Sequence, residues 1–382
     1  METLCELDVA RIVEPNLDIL LFNRLKNKLD ATPPFLDKLR EMYNFLVQAV
    51  KPITRLDGQT LLMKLCRAVS ICIGKLRLFM VLGRVSQSYF DNRASAMGVD
   101  YLKAPLDLQQ KIIAAIAVDD HDLLRNLLPE SLRSPSPRSP LFGSSLSFAI
   151  SHGDAGVVRT ILQCMLQHGA HGLTFADALV EGHYGTVTWH KTSAMDFAIT
   201  TKQPRVLEVI VDFQKKHGRS LLRKEYKALL SRAIFSGKLE MVKAVFCLKV
   251  TGGVKVTLGH LNEAAGSHNE DILLAIITSP GMRVDKAYTD ASPLRAAVRS
   301  GNVHMVRAVL NAGPDIDMKV RGRPALVEAM MAGKDVIAQA LLDHGAAIPP
   351  RATWPEDTPK THGKYRGVRE VLENEQRRRS GR

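Results

Sequence analysis

Apolar residues along this chain recur in short blocks separated by polar, glycine-bearing stretches. LSFAI from Leu146, MDFAI from Met195, LSRAI from Leu230, LNEAA from Leu261, LRAAV from Leu294 and LVEAM from Leu326 share one form, an apolar residue followed three positions later by alanine. Their central alanines, Ala149, Ala198, Ala233, Ala264, Ala297 and Ala329, lie 49, 35, 31, 33 and 32 residues apart, and Ala115 in IIAAI extends the series upstream by 34. Periods of about 20 to 50 residues mark a solenoid, in which each repeat leaves an apolar face bare until its neighbour covers it. The pattern places function on the surface of the stack.

Within one period the spacing predicts two helices. In the copy running from Ser292 to Asp317, Leu294, Ala297 and Val298 stand at i, i+3 and i+4, one face of a short helix, and Gly301 breaks it. Val306, Val309 and Leu310 repeat the spacing in a second helix that Gly313 ends, and Pro314 to Gly322 reads as a polar turn. Leu326, Ala329, Gly333, Leu341, Leu342 and Gly345 restate the plan in the next copy. The alanines have a packing reason, since small side chains let neighbouring first helices approach while leucine and valine fill the layer between them.

These copies resemble the ankyrin repeat, with its T-P-L-H-x-A-A box, G-[HN] turn, V-V-x-L-L second helix and G-A-D finger; the resemblance runs from about Asp107 to Ile348. It implies an all-α, ankyrin-like solenoid of stacked helix-turn-helix repeats with short finger loops, preceded here by an N-terminal helical extension. The departures are specific. The T-P-L-H histidine position reads Ser147, Asp196, Ser231, Asn262, Arg295 and Val327, and Lys202 and His268 stand where Gly153, Gly237, Gly301 and Gly333 turn the other copies. Pro204 falls where a second helix begins, a position proline tolerates because that N–H has no helical partner. Uneven local stability along the stack is the expectation.

Three segments follow. Residues 1–106 read as a helical extension or cap, or as a small separate helical domain, with helical spacing over Asp8 to Phe22 and Pro34 to Val50. Within them, DGQTLLMKLC from Asp57 resembles a finger followed by a first helix, with Leu62, Leu65 and Cys66 in phase, so that 57–82 is a candidate degenerate repeat. About seven repeats span 107–350, with an insertion at 170–192, and 351–382 forms a capping helix, carrying Val368, Val371 and Leu372 on one side, and a basic tail.

Composition narrows the function classes. No stretch of 18 apolar residues exists, Val69 to Leu82 being interrupted by Lys75 and Arg77, and the first residues lack a secretory pattern, so a cytoplasmic or nuclear monomer without membrane contact is expected. Five cysteines without a C-x-x-C pair argue against disulfides and zinc. The net charge of +13 is densest at the tail, where Arg377, Arg378, Arg379 and Arg382 offer a site for acidic protein, nucleic acid or an import receptor. A nuclear protein associating with nucleic acid or chromatin through Arg377 to Arg382 is therefore the alternative reading, although no reading module accompanies the tail. No phosphate-binding loop, H-E-x-x-H or G-x-S-x-G is present, which leaves no assigned catalytic, cofactor or metal site, and an enzyme could hide only in the N-terminal third.

The principal expectation is thus a non-enzymatic scaffold or adaptor that holds a protein partner. The resemblance implies recognition through finger tips and the exposed side of the first helices. Counted from the central alanines, that surface comprises Phe148, Phe197, Arg232, Phe235 and Arg299, joined by Phe175, Tyr184 and Trp189 from the insertion. The competing reading puts Phe148 and Phe197 inside the stack. Ser134, Ser136 and Ser139, each before proline in RSPSPRSP, are candidate phosphorylation sites.

Overall fold

The computed structural model describes residues 16–26, 34–49, 57–72, 105–133, 138–139, 142–168, 176–181, 187–218, 220–253, 256–279, 282, 292–356 and 363–381. They belong to two compact units, Met1–Gly218 and Arg219–Arg382. Both are built mainly of helices.

The first unit opens with α1 (Leu17–Lys26), α2 (Pro34–Ala49) and α3 (Gly58–Cys72). Leu62, Leu65 and Cys66 of α3 are buried as their phase requires, and α3 packs on α1, α2 and the helices that follow. Three helix pairs come next, α4 (Leu108–Ala117) with α5 (His121–Leu132), α6 (Ser145–His152) with α7 (Ala155–Gln167), and α8 (Ala194–Thr200) with α9 (Pro204–His217). α4 starts with a reciprocal cap in which Gln110 N–H donates to Asp107 Oδ1 at 2.7 Å and Asp107 N–H to Gln110 Oε1 at 3.0 Å. First helices α4, α6 and α8 touch in sequence, as do second helices α5, α7 and α9. Ala115, Ala149 and Ala198 are fully buried between the first helices, the close approach that small side chains permit.

Two short hairpins interrupt this unit. β1 (Arg138–Ser139) pairs with β2 (Gly143–Ser144), and the insertion forms β3 (Ala176–Glu181) antiparallel to β4 (Val187–Thr192), with Leu179 opposite Trp189. The insertion at 170–192 is thus a two-stranded ladder over its described residues. Its sequence explains this, because VTWHKT is rich in β-branched and aromatic residues. β3 lies against β2, α6 and α8.

The second unit repeats the pair four times, α10 (Arg223–Phe235) with α11 (Leu239–Phe246), α12 (Leu258–Gly266) with α13 (Glu270–Ile277), α14 (Pro293–Ser300) with α15 (Val303–Asn311), and α16 (Ala325–Ala332) with α17 (Asp335–Asp343). α10, α12, α14 and α16 form one layer and α11, α13, α15 and α17 the other. α18 (Arg366–Ser380) closes on α17, burying Val368 and Leu372. Successive fingers are tied by Asp317, whose carboxylate accepts from Ala347 N–H at 3.0 Å.

The turns between paired helices share one geometry. Gly153, Gly237, Gly301 and Gly333 take φ of 84°, 72°, 79° and 70°, while Asp119, Lys202 and His268 adopt 61°, 56° and 59° at the same place. A side chain in that left-handed region costs roughly 1–2 kcal/mol, which gives the expected unevenness a physical basis. In the second unit a serine three residues after the central alanine clamps the turn. Ser236, Ser267 and Ser300 donate to the carbonyls of Ala233, Ala264 and Ala297 at 2.7, 2.8 and 2.7 Å, and each accepts the N–H two residues onward.

Candidate partner-binding face

In the first unit the aromatic positions turn inward. Phe148 is 1% exposed, its ring edge-on to Phe142 at 5.8 Å, and Phe142 in turn meets Phe35 of α2 at 6.5 Å. Its place as a partner contact is therefore corrected: the side chain is core, covered by a residue of the β1–β2 segment. Phe197 is half-buried on α8. Trp189 sits in β4 by its backbone, whereas Phe175, Tyr184, Ser134 and Ser136 lie outside the described residues. Ser139 is in β1, opposite Gly143.

In the second unit the same helix face is open. Phe235 at the end of α10 is 72% exposed, and Arg232 one turn earlier is also exposed. The position equivalent to Phe235 is Gly266 on α12, Arg299 on α14 and Met331 on α16, and Met331 is 48% exposed. Gly266 has no atom within 4 Å of where a Cβ would stand. It lines a groove of about 320 Å³ together with His268, Ser292, Arg295, Ala296, Arg299 and Ser300.

Two carboxylates on this face are engaged by their own stack. Glu263 Oε1 accepts from Ser231 Oγ of the preceding repeat at 3.1 Å. Glu328 is held by Arg295 Nε and by Arg299 Nε, the latter at 2.6 Å, and Arg295 also donates to the Val320 carbonyl at 3.0 Å. Burial pushes the Glu328 carboxyl up, but the two arginines outweigh it and hold the group below its ordinary range. Arg299, expected as a free contact residue, is thus also a link between repeats, though its side chain remains 57% exposed.

The missing T-P-L-H box has a substitute two residues out of the aligned register. α12 begins early, so His260 occupies its third position; Thr257 N–H donates to His260 Nδ1 at 3.0 Å and His260 Nε2 reaches the Lys227 carbonyl of the preceding repeat at 3.3 Å. These bonds fit a neutral ring protonated on Nε2. Burial lowers the His260 pKa, outweighing the opposing pull of the Lys227 carbonyl. Alignment on Ala264 pointed instead to Asn262; the signal that would have found this box is the T-x-x-H spacing itself.

Other chemistry-bearing groups serve packing. Burial pushes the Cys66 thiol up to about 12, with the nearby Asp18 charge adding to it, and such a thiol is a poor nucleophile. Asp119 joins Lys64 of α3, at 3.2 Å, to His152 of α6, at 3.1 Å. At the tail, Arg378 and Arg379 pair with the buried Glu375 at 2.8 and 2.7 Å, and Arg379 also reaches the Leu342 carbonyl. Arg377 bonds Asn374, so the three described arginines of the basic cluster belong to a folded, capped helix. Among the described residues no group of acidic, histidine or cysteine side chains has metal-site geometry, and no described helix is long and apolar enough to cross a membrane.

The sequence profile described as ankyrin repeats (3 copies) matches residues 261–351. No curated protein matches the chain by sequence. Similar solved structures include the ankyrin repeat domain of Bcl-3, described as a unique member of the IkappaB protein family, at 19% identity and a TM-score of 0.43, covering 60% of this chain and 97% of that one. The human ASB11 ankyrin repeat domain is similar at 18% identity and a TM-score of 0.43, covering 63% and 98%.

Proposed function

We propose that this chain, an ankyrin repeat protein, is a non-enzymatic intracellular scaffold that holds a protein partner on the first-helix face of its second unit. Ankyrin repeats generally serve protein–protein interaction. The observation that carries the reading is the contrast between the alanine face of α10 to α16, fully buried at Ala233, Ala264, Ala297 and Ala329, and the neighbouring row that leaves Phe235, Arg299 and Met331 in solvent. A rigid row of side chains repeated about every 32 residues offers regularly spaced contacts at little ordering cost.

Residues 1–106 act in this reading as an N-terminal cap and 351–382 as the C-terminal one, so the protein works as a monomer. In-cell photo-crosslinking from Phe235 and Met331, with the solvent-facing Val336 of α17 as control, tests it. Crosslinks to a common protein from the first two positions and none from the control are expected. Crosslinks from Val336 alone would put recognition on the second-helix side and overturn the assignment.

A further inference from the structure

The charge of the chain is unevenly divided. Residues 219–382 contain 27 Lys+Arg and 17 Asp+Glu, a net +10 of the total +13. Within the second unit the first-helix face carries two carboxylates, and each has partners inside the stack: Glu263 receives Ser231, and Glu328 receives Arg295 and Arg299. Arg299 uses only its Nε for this, and it borders the groove that opens because Gly266 lacks a side chain. His268 also lines the groove, and Phe235 and Met331 are exposed at the two ends of the row.

We infer that this groove receives an acidic segment of the partner protein, one carboxylate beside Arg299 and His268 and flanking apolar side chains on Phe235 and Met331. The inference rests on the scaffold reading above and adds the partner's chemistry to it. A planar guanidinium matches a carboxylate with two donors. The exposed aromatic supplies the kind of anchor that dominates interface energy. A nucleic-acid strand fits less well, because phosphate recognition draws on a run of uncommitted cations, whereas this row places one arginine between a phenylalanine and a methionine with two carboxylates nearby.

The test uses the full chain and a labelled dodecapeptide in which pairs of Asp and Glu alternate with Leu and Phe, its Asn/Gln counterpart, and a single-stranded oligothymidine of equal length. Fluorescence anisotropy is expected to show the acidic peptide bound at least about tenfold more tightly than the amide peptide, with affinity falling as salt rises. Gly266→Phe projects a ring into the groove from a site where an added Cβ meets no atom within 4 Å and is expected to weaken binding about tenfold while the thermal melt is retained; Phe235→Ala should do the same. Equal binding of the acidic and amide peptides, binding of neither, or unchanged affinity in Gly266→Phe overturns the inference. Oligothymidine that binds as tightly and displaces the peptide overturns it in favour of nucleic acid. Should crosslinking from Phe235 still capture a protein partner while the acidic peptide fails, the scaffold reading stands and the acidic chemistry falls; if crosslinking yields no partner, the scaffold reading fails on its own experiment.

Discussion

Phe148 and Phe235 occupy nearly the same helical face of their repeats, yet one is 1% and the other 72% exposed. The difference lies in what covers them. In the first unit Phe142 of the β1–β2 segment rests on Phe148, and β3 lies against α6 and α8. In the second unit the segment before α10 instead pairs Leu221 with Val250 of the following segment, and Phe235 remains in solvent. A repeat position therefore has no fixed role, because the lengths and sequences of the intervening segments decide whether it becomes core or surface.

The sharpest way to break this comparison is to truncate both rings. Phe148→Ala should destabilise the protein by about 3–5 kcal/mol, since it removes a fully buried aromatic, whereas Phe235→Ala should change stability by less than about 0.5 kcal/mol. Urea unfolding of the two variants checks this, and equal losses would remove the distinction. Next in size, Ala297→Leu should cost roughly 1–3 kcal/mol by overpacking the α12–α14 layer; an unchanged melting temperature would mean that the alanine layer is not close-packed there.

Acid should act on the second unit through His260. Its folded pKa is lowered from the ordinary 6.5, so the unfolded chain binds the proton first and stability falls as pH drops below about 6.5, continuing through the folded pKa. Comparing acid titrations of wild type and His260→Gln by hydrogen exchange over 256–266 should show a shallower loss in the variant. The smallest effect is a gain. His268→Gly relieves a left-handed side chain but loosens the unfolded state, leaving about 0.5 kcal/mol of net stabilisation, read as a small rise in melting temperature.

The sequence discloses the stack where its signals are local. Alanine phase located every first helix from α4 to α16, and Pro204 and the turn glycines marked where paired helices meet, because helical spacing and positive φ are properties of a few neighbouring residues. What it concealed depends on contacts between distant segments or on a shifted boundary. Nothing around Phe148 reveals that Phe142 will cover it, nothing around Glu328 shows that two arginines from the preceding repeat will claim it, and counting back from Ala264 passed over His260 because α12 starts two residues early. The groove escaped notice for a different reason: it is made by an absent side chain at Gly266, which acquires meaning only between its neighbours.

The closing helix α18 has a consequence for self-association. Its inner side joins the stack through Val368 and Leu372, while its outer side carries the Arg366–Glu370 pair and exposed Arg377. Any repeat laid directly against that outer side, including one from a second copy of the chain, would have to strip water from these charges at a penalty of several kcal/mol. The outer side of α18 is thus a charged, solvated surface where the next second helix of a stack would otherwise lie.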